Sequence, residues 1–100
     1  MRHQKAMTEY IDIQPEPTDD PDVMLLLTNL DLTPMGGPEV YESPEAGEEE
    51  GSPLAQTLFA VPGVVALTLD GSELLIRRSP DVEWHDLIED ISDALRDFFL

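Results

Sequence analysis

The chain is 100 residues long and carries 22 acidic against 5 basic side chains, a formal net charge of −17, with 41% hydrophobic content. That length suggests one domain with a modest core, and a charge of this sign repels phosphate backbones and anionic lipid, which argues against nucleic-acid and membrane-surface roles. There is no cysteine, so disulfides, thiolate catalysis, Cys-ligated zinc and cysteine-held iron–sulfur clusters are excluded within these residues.

Residues 1–8 read as a disordered tail, having neither apolar period nor cap, and residues 9–100 as the domain. Met1 to Tyr10 lacks the apolar core of a secretory signal, and no run approaches the roughly 18 apolar residues of a membrane span, so a cytoplasmic protein is the default expectation. Tyr10 to Gln14 alternates as an edge strand that should end at Pro15, since proline cannot donate to a ladder. A turn-rich link follows through Pro21, then Val23 to Leu27, a nearly all-apolar run of strand length that can pair back on the first strand.

Residues 33–51 read as a long acidic loop rich in Gly, Pro and Glu. Within it Val40-Tyr41 can form a small strand, and Ser43-Pro44-Glu45 has the cap-then-proline grammar of a helical turn that Gly47 should end at once. Glu48, Glu49 and Glu50 read as solvated.

Ser52 to Ile76 is the most legible stretch. Ser52 is an N-cap and Pro53 suits the first helical position; Leu54, Leu58 and Phe59 then give one apolar stripe on a helix of about two turns, stopped by Pro62-Gly63. Val64 to Leu69 reads as a buried strand, Asp70-Gly71 as a reversal, and Leu74 to Ile76 as the returning strand. At the C-terminal end, Ser79 should cap and Pro80 open a last helix whose stripe of Trp84, Leu87, Ile88, Ile91, Leu95 and Phe98 lies on the sheet. The fold predicted is α+β in two layers: a roughly four-stranded, mainly antiparallel sheet with two helices on one face, in the order strand-strand-helix-strand-strand-helix.

Several of these segments resemble one family. SPLAQTLFAVPGV, residues 52–64, is similar to the SPLA, two variable residues, LF, one variable residue, I/V-PGV segment of the N-terminal domain of Nfu/NifU-type iron–sulfur scaffold proteins. Ile13-Gln14-Pro15-Glu16-Pro17-Thr18-Asp19-Asp20-Pro21-Asp22 matches that family's I-Q-x-E-x-T-P-N-P-N turn in register, with Asp19 in place of proline and Asp20 and Asp22 in place of asparagine. Aspartate serves the same turn chemistry as asparagine while adding charge. Leu25 stands where the family commonly has lysine, Tyr41, Ser43 and Glu45 match its approach to the SPLA helix, and Asp97-Phe98-Phe99 reproduces the end of its last helix.

The resemblance implies a stand-alone relative of a domain that elsewhere accompanies a C-x-x-C cluster-binding domain. The expected function is a non-enzymatic, monomeric protein-binding module that docks a protein of the iron–sulfur assembly machinery or an iron–sulfur client, with no cofactor and no cluster of its own. No GxGxxG, P-loop, GxSxG or HExxH occurs, and His3 and His85 read as surface residues. Arg77 and Arg78 lie at the end of the second hairpin strand, pointing to opposite faces. One is expected to pair with an acid of the last helix and the other to face a partner, the partner surface being Thr18, Asp20, Pro21, Arg77 and Arg78. The alternative is a divalent-cation or small anionic-ligand site on the Thr18 to Asp22 turn; a third possibility is an acidic decoy for a basic protein.

Overall fold

A computed structural model describes residues 11–100. The tail expected over residues 1–8, His3 and the Tyr10 start of the first strand lie outside the described residues. Five strands and three helices follow: β1 (Ile13–Pro17), β2 (Val23–Thr28), β3 (Glu39–Tyr41), α1 (Pro44–Glu50), α2 (Pro53–Phe59), β4 (Val64–Asp70), β5 (Glu73–Arg78) and α3 (Trp84–Phe99). The strands form one sheet in the order β1-β2-β5-β4-β3, every pair antiparallel. The predicted α+β class holds, with one more strand and one more helix than expected.

Both extra elements come from residues 33–51. β3 pairs with β4 through Val40 opposite Thr68 and Tyr41 opposite Leu67, and the Tyr41 hydroxyl donates to Glu39 Oε1 at 2.6 Å while accepting from the Ser52 N–H at 3.3 Å. Ser43 caps α1 by accepting from the Ala46 N–H, with Pro44 in the first turn. Gly47 does not end α1, which runs on to Glu50. The reason is packing: a Cβ at Gly47 would lie 2.2 Å from a Phe59 ring carbon, so glycine lets the two short helices touch.

Two further boundaries differ from expectation. β1 continues through Pro15 to Pro17; among the described residues it is an edge strand bonded only to β2, and both prolines share a parity, so their missing N–H groups fall on the outer edge. α3 begins at Trp84 rather than Pro80, with Glu83 at its N-cap and no side-chain cap bond. Ser79 to Val82 instead forms a turn closed by Val82 N–H to Ser79 O at 3.2 Å, and the Ser79 N–H is taken by the Gly63 carbonyl at 2.8 Å.

Elsewhere local grammar is followed. Ser52 accepts from the Ala55 N–H at 3.2 Å at the start of α2, and Gly71 takes φ +64° at the first position of the two-residue turn between β4 and β5, as a primed hairpin turn requires. The core is one cluster between the helices and one face of the sheet, with Leu26, Leu67, Leu69, Leu74 and Ile76 from the strands and Leu58, Leu87, Ile91 and Leu95 from the helices. Each fully buried leucine or isoleucine contributes roughly 1.5–3 kcal/mol of transfer free energy. The predicted α3 stripe is buried at Leu87, Ile91 and Leu95 but not at its end, where Phe98 is 43% exposed.

Among the described residues, the opposite face of the sheet carries no helix. Strand alternation turns Val23, Leu25, Leu27, Leu75, Ala66 and Thr68 onto it, because their neighbours in the sequence fill the core.

Candidate partner surface

The turn between β1 and β2 is built by its own side chains. Thr18 Oγ1 accepts from the Asp20 N–H at 3.1 Å and donates to Val23 O at 2.9 Å, while Asp20 Oδ1 accepts from the Asp22 N–H at 2.9 Å. These bonds satisfy a reversal in which Pro21 offers no backbone donor.

The sheet then brings the end of β5 against this turn, since β5 lies beside β2 with Arg77 opposite Val23. Arg77 Nη2 reaches Asp20 Oδ2 at 3.0 Å, and Arg78 Nε reaches Asp22 Oδ1 at 3.2 Å. Arg78 also donates through Nη1 to Val82 O at 2.9 Å and sits over the Trp84 ring at 5.2 Å from its centroid. The Trp84 indole N–H donates to Pro21 O at 2.8 Å. The guanidinium of Arg78 therefore joins turn, strand and helix start, a multidentate, stacked arrangement that a lysine ammonium cannot reproduce.

All five residues proposed from the sequence thus lie together. The expected pairing of one arginine with an acid of the last helix is incorrect: both pair with the first turn, across 56 and 57 residues of sequence. Sequence reasoning missed Asp22, Val82 and Trp84. Asp22 was visible as part of the acidic turn, but nothing local distinguishes Trp84 as a hydrogen-bond donor from Trp84 as core.

The arrangement positions groups rather than doing acid–base work. Both Asp20 oxygens accept hydrogen bonds and Asp22 Oδ1 holds Arg78, so these carboxylates already serve the turn and the two arginines. No group of three or more His, Asp or Glu side chains suited to a metal occurs among the described residues, and His85 is exposed on the first turn of α3.

The Asp20 carboxyl is held below the ordinary carboxylate range, chiefly by the Asp22 backbone N–H and further by Arg77, against an opposing contribution from burial. A depressed folded pKa means that the ionised turn stabilises the fold above the unfolded value of about 3.9 and loses that contribution as pH falls through the folded value. Carboxyl NMR is expected to give Asp20 a midpoint below that value. Arg77→Ala should raise it only part of the way, because the Asp22 N–H remains. An unshifted midpoint in the unsubstituted protein would mean that the turn does not hold this geometry in solution.

The fold places the chain among two-layer α+β domains, with three helices on one face of an antiparallel sheet and the other face bare among the described residues. A family model described as the scaffold protein Nfu/NifU N-terminal domain matches residues 13–100, and the chain belongs to that family. Among curated relatives it is 30% identical over 87 residues to the NFU1 iron-sulfur cluster scaffold homolog, mitochondrial, of Drosophila virilis, covering 87% of this chain and 28% of that protein. It is 28% identical over 99 residues to the homolog of the same name in Drosophila yakuba, covering 99% and 34%. The chain therefore spans about a third of the length of the curated relatives it matches.

Two solved structures share the fold. Protein SAV1430 from Staphylococcus aureus superposes with a TM-score of 0.66 at 13% identity, over 84% of this chain and 98% of that one. SeR13 from Staphylococcus epidermidis gives 0.54 at 16% identity, over 87% and 98%. Among the described residues no helix is long and apolar enough to cross a membrane.

Proposed function

We propose that this chain is a non-enzymatic protein-binding module of iron–sulfur cluster assembly or delivery, one that docks a protein of the assembly machinery or an iron–sulfur client and does not itself ligate a cluster. The observation that carries this reading is the family match over residues 13–100 in a chain without cysteine, because clusters are held by thiolates. The curated relatives are named as cluster scaffolds, and they are about three times as long. The docking surface proposed includes Thr18, Asp20, Pro21, Arg77 and Arg78, where the Arg77 side chain stays 48% exposed beside its ion pair. The module is taken to act as a monomer. Cytoplasm is the compartment carried into this reading, against the mitochondrial names of the relatives, and fractionation of source cells decides between them.

The test is a pull-down with the tagged chain at physiological salt, beside a disordered control of equal length and charge. Enrichment of a cysteine desulfurase, a cluster scaffold or iron–sulfur clients over the control is the expected result. Recovery of only those basic proteins that the control also recovers would remove the assembly role. Anaerobic incubation with iron and sulfide should leave the purified chain without sulfur-to-iron charge-transfer absorption; a stable cluster spectrum would overturn the claim that it ligates none.

A further inference from the structure

The bare face of the sheet has an ordered pattern. Across its middle row run Val40, Thr68, Leu75, Leu25 and Glu16, aligned by the strand registers. The row on one side holds Ala66, Arg77 and Val23, and the row on the other holds Asp70, Glu73 and Leu27. Apolar side chains therefore occupy the centre, and Val40 is 59% exposed there.

The small side chains Ala66 and Thr68 leave a hollow of about 160 Å³, walled by Val40, Leu75 and Val23 and reached by Glu42 and Arg77 at its rim. Among the described residues the charges around this centre are mostly acidic: Glu16, Glu42, Asp70 and Glu73 lie about it, while Arg77, the cation at its rim, is paired with Asp20. Five strands at about 4.8 Å spacing make a surface roughly 19 Å wide, enough to seat one helix of about 10 Å diameter with room for its flanks.

We infer that this face docks a cationic amphipathic helix of a partner protein, its apolar stripe laid over Leu75, Leu25 and the hollow and its lysines or arginines meeting the acidic rim. The choice of occupant rests on charge complementarity. A second copy of a chain with net charge −17 would bring like rims together, and anionic lipid or nucleic acid would meet the same repulsion. Such a helix would convert the two-layer domain to three layers, burying leucines that otherwise face water. The inference rests on the protein-binding reading above but not on its iron–sulfur assignment.

The test uses the full chain, ¹⁵N-labelled, with two defined probes: an 18-residue peptide of Leu and Lys with leucines at i, i+3, i+4 and i+7, and a peptide of the same composition scrambled to remove the stripe. The striped peptide is expected to shift the amides of Leu25, Thr68 and Leu75 and their neighbours, and to bind at least tenfold more tightly than the scrambled one at 0.15 M salt. Thr68→Arg fills the hollow with the probe's own charge, and Leu75→Glu breaks the apolar centre; each should weaken the striped peptide at least tenfold while amide dispersion is retained.

Equal binding of both peptides, or shifts mapping instead to the apolar groove beside Met35, Phe98 and Phe99 at the end of α3, would overturn the inference. Concentration-dependent shifts on the same face without peptide would also overturn it, in favour of self-association. A pull-down that fails while the striped peptide maps to this face removes the iron–sulfur assignment alone. Recovery of cluster proteins that is undiminished by Thr68→Arg and Leu75→Glu removes the docking face alone.

Discussion

Gly63→Ala is expected to lower the stability of the domain by about 2–4 kcal/mol and its melting temperature by on the order of 10–20 °C, the larger part of a small domain's margin being only a few such steps away. Gly63 has φ +100°, outside the range an L side chain adopts comfortably, and a Cβ there would lie 2.8 Å and 2.9 Å from the two methyl carbons of Val82. Its carbonyl also accepts the Ser79 N–H at 2.8 Å, so the backbone cannot turn to relieve the strain without breaking that bond. Val82 in turn offers its carbonyl to Arg78. Pushing Val82 aside should therefore loosen the contact between the first turn and the start of α3, visible as a shifted or broadened Trp84 indole N–H resonance.

The control is Gly71→Ala, at φ +64° with nothing within 4 Å of the added carbon. It carries strain without collision and should cost about 1–2 kcal/mol. Urea unfolding of the two variants separates the effects. If Gly63→Ala loses no more than Gly71→Ala, the contact with Val82 carries no energy and Gly63 is there for its φ alone.

The same residues show how far the fold could be read from the chain. α2 and the β4–β5 hairpin were legible because their signals are local: Ser52-Pro53 supplies a cap and a first turn, Pro62-Gly63 a stop, and Asp70-Gly71 a reversal. α1 was not legible past Gly47, because the tolerance for glycine there comes from Phe59, twelve residues on and in another helix. Ser79-Pro80 looked like a helix start and is not one, since the Ser79 N–H is bonded to Gly63 and Arg78 holds the Val82 carbonyl, which keeps the chain turned until Trp84. Strand order had no local signature at all. Of the candidate surface, the nearness of the five residues was legible from kinship with the family turn and the scarcity of arginine. Their pairing was not, because Arg77–Asp20 and Arg78–Asp22 depend on β5 lying beside β2.

β5 itself supplies the second large effect, because consecutive residues on it face different surroundings. Ile76 has no exposed surface and lies between Met24 of β2 and Leu67 of β4. Ile76→Ala should therefore cost about 2–5 kcal/mol, transfer loss plus a cavity that a central strand cannot collapse to fill, and Ile76→Val about 0.5–1.5 kcal/mol. Leu75, one residue earlier, points to the bare face and is half-buried beside its strand neighbours, so Leu75→Ala should cost about 1 kcal/mol or less. Denaturant unfolding of the three variants, with the dependence on denaturant unchanged, checks the contrast. Near-equal losses at the two alanine positions would mean that the second face is covered in solution, by another copy or by part of the chain itself. The expected asymmetry instead leaves leucine at position 75 unexplained by the stability of the isolated domain, and makes what that face contacts the reason to look for.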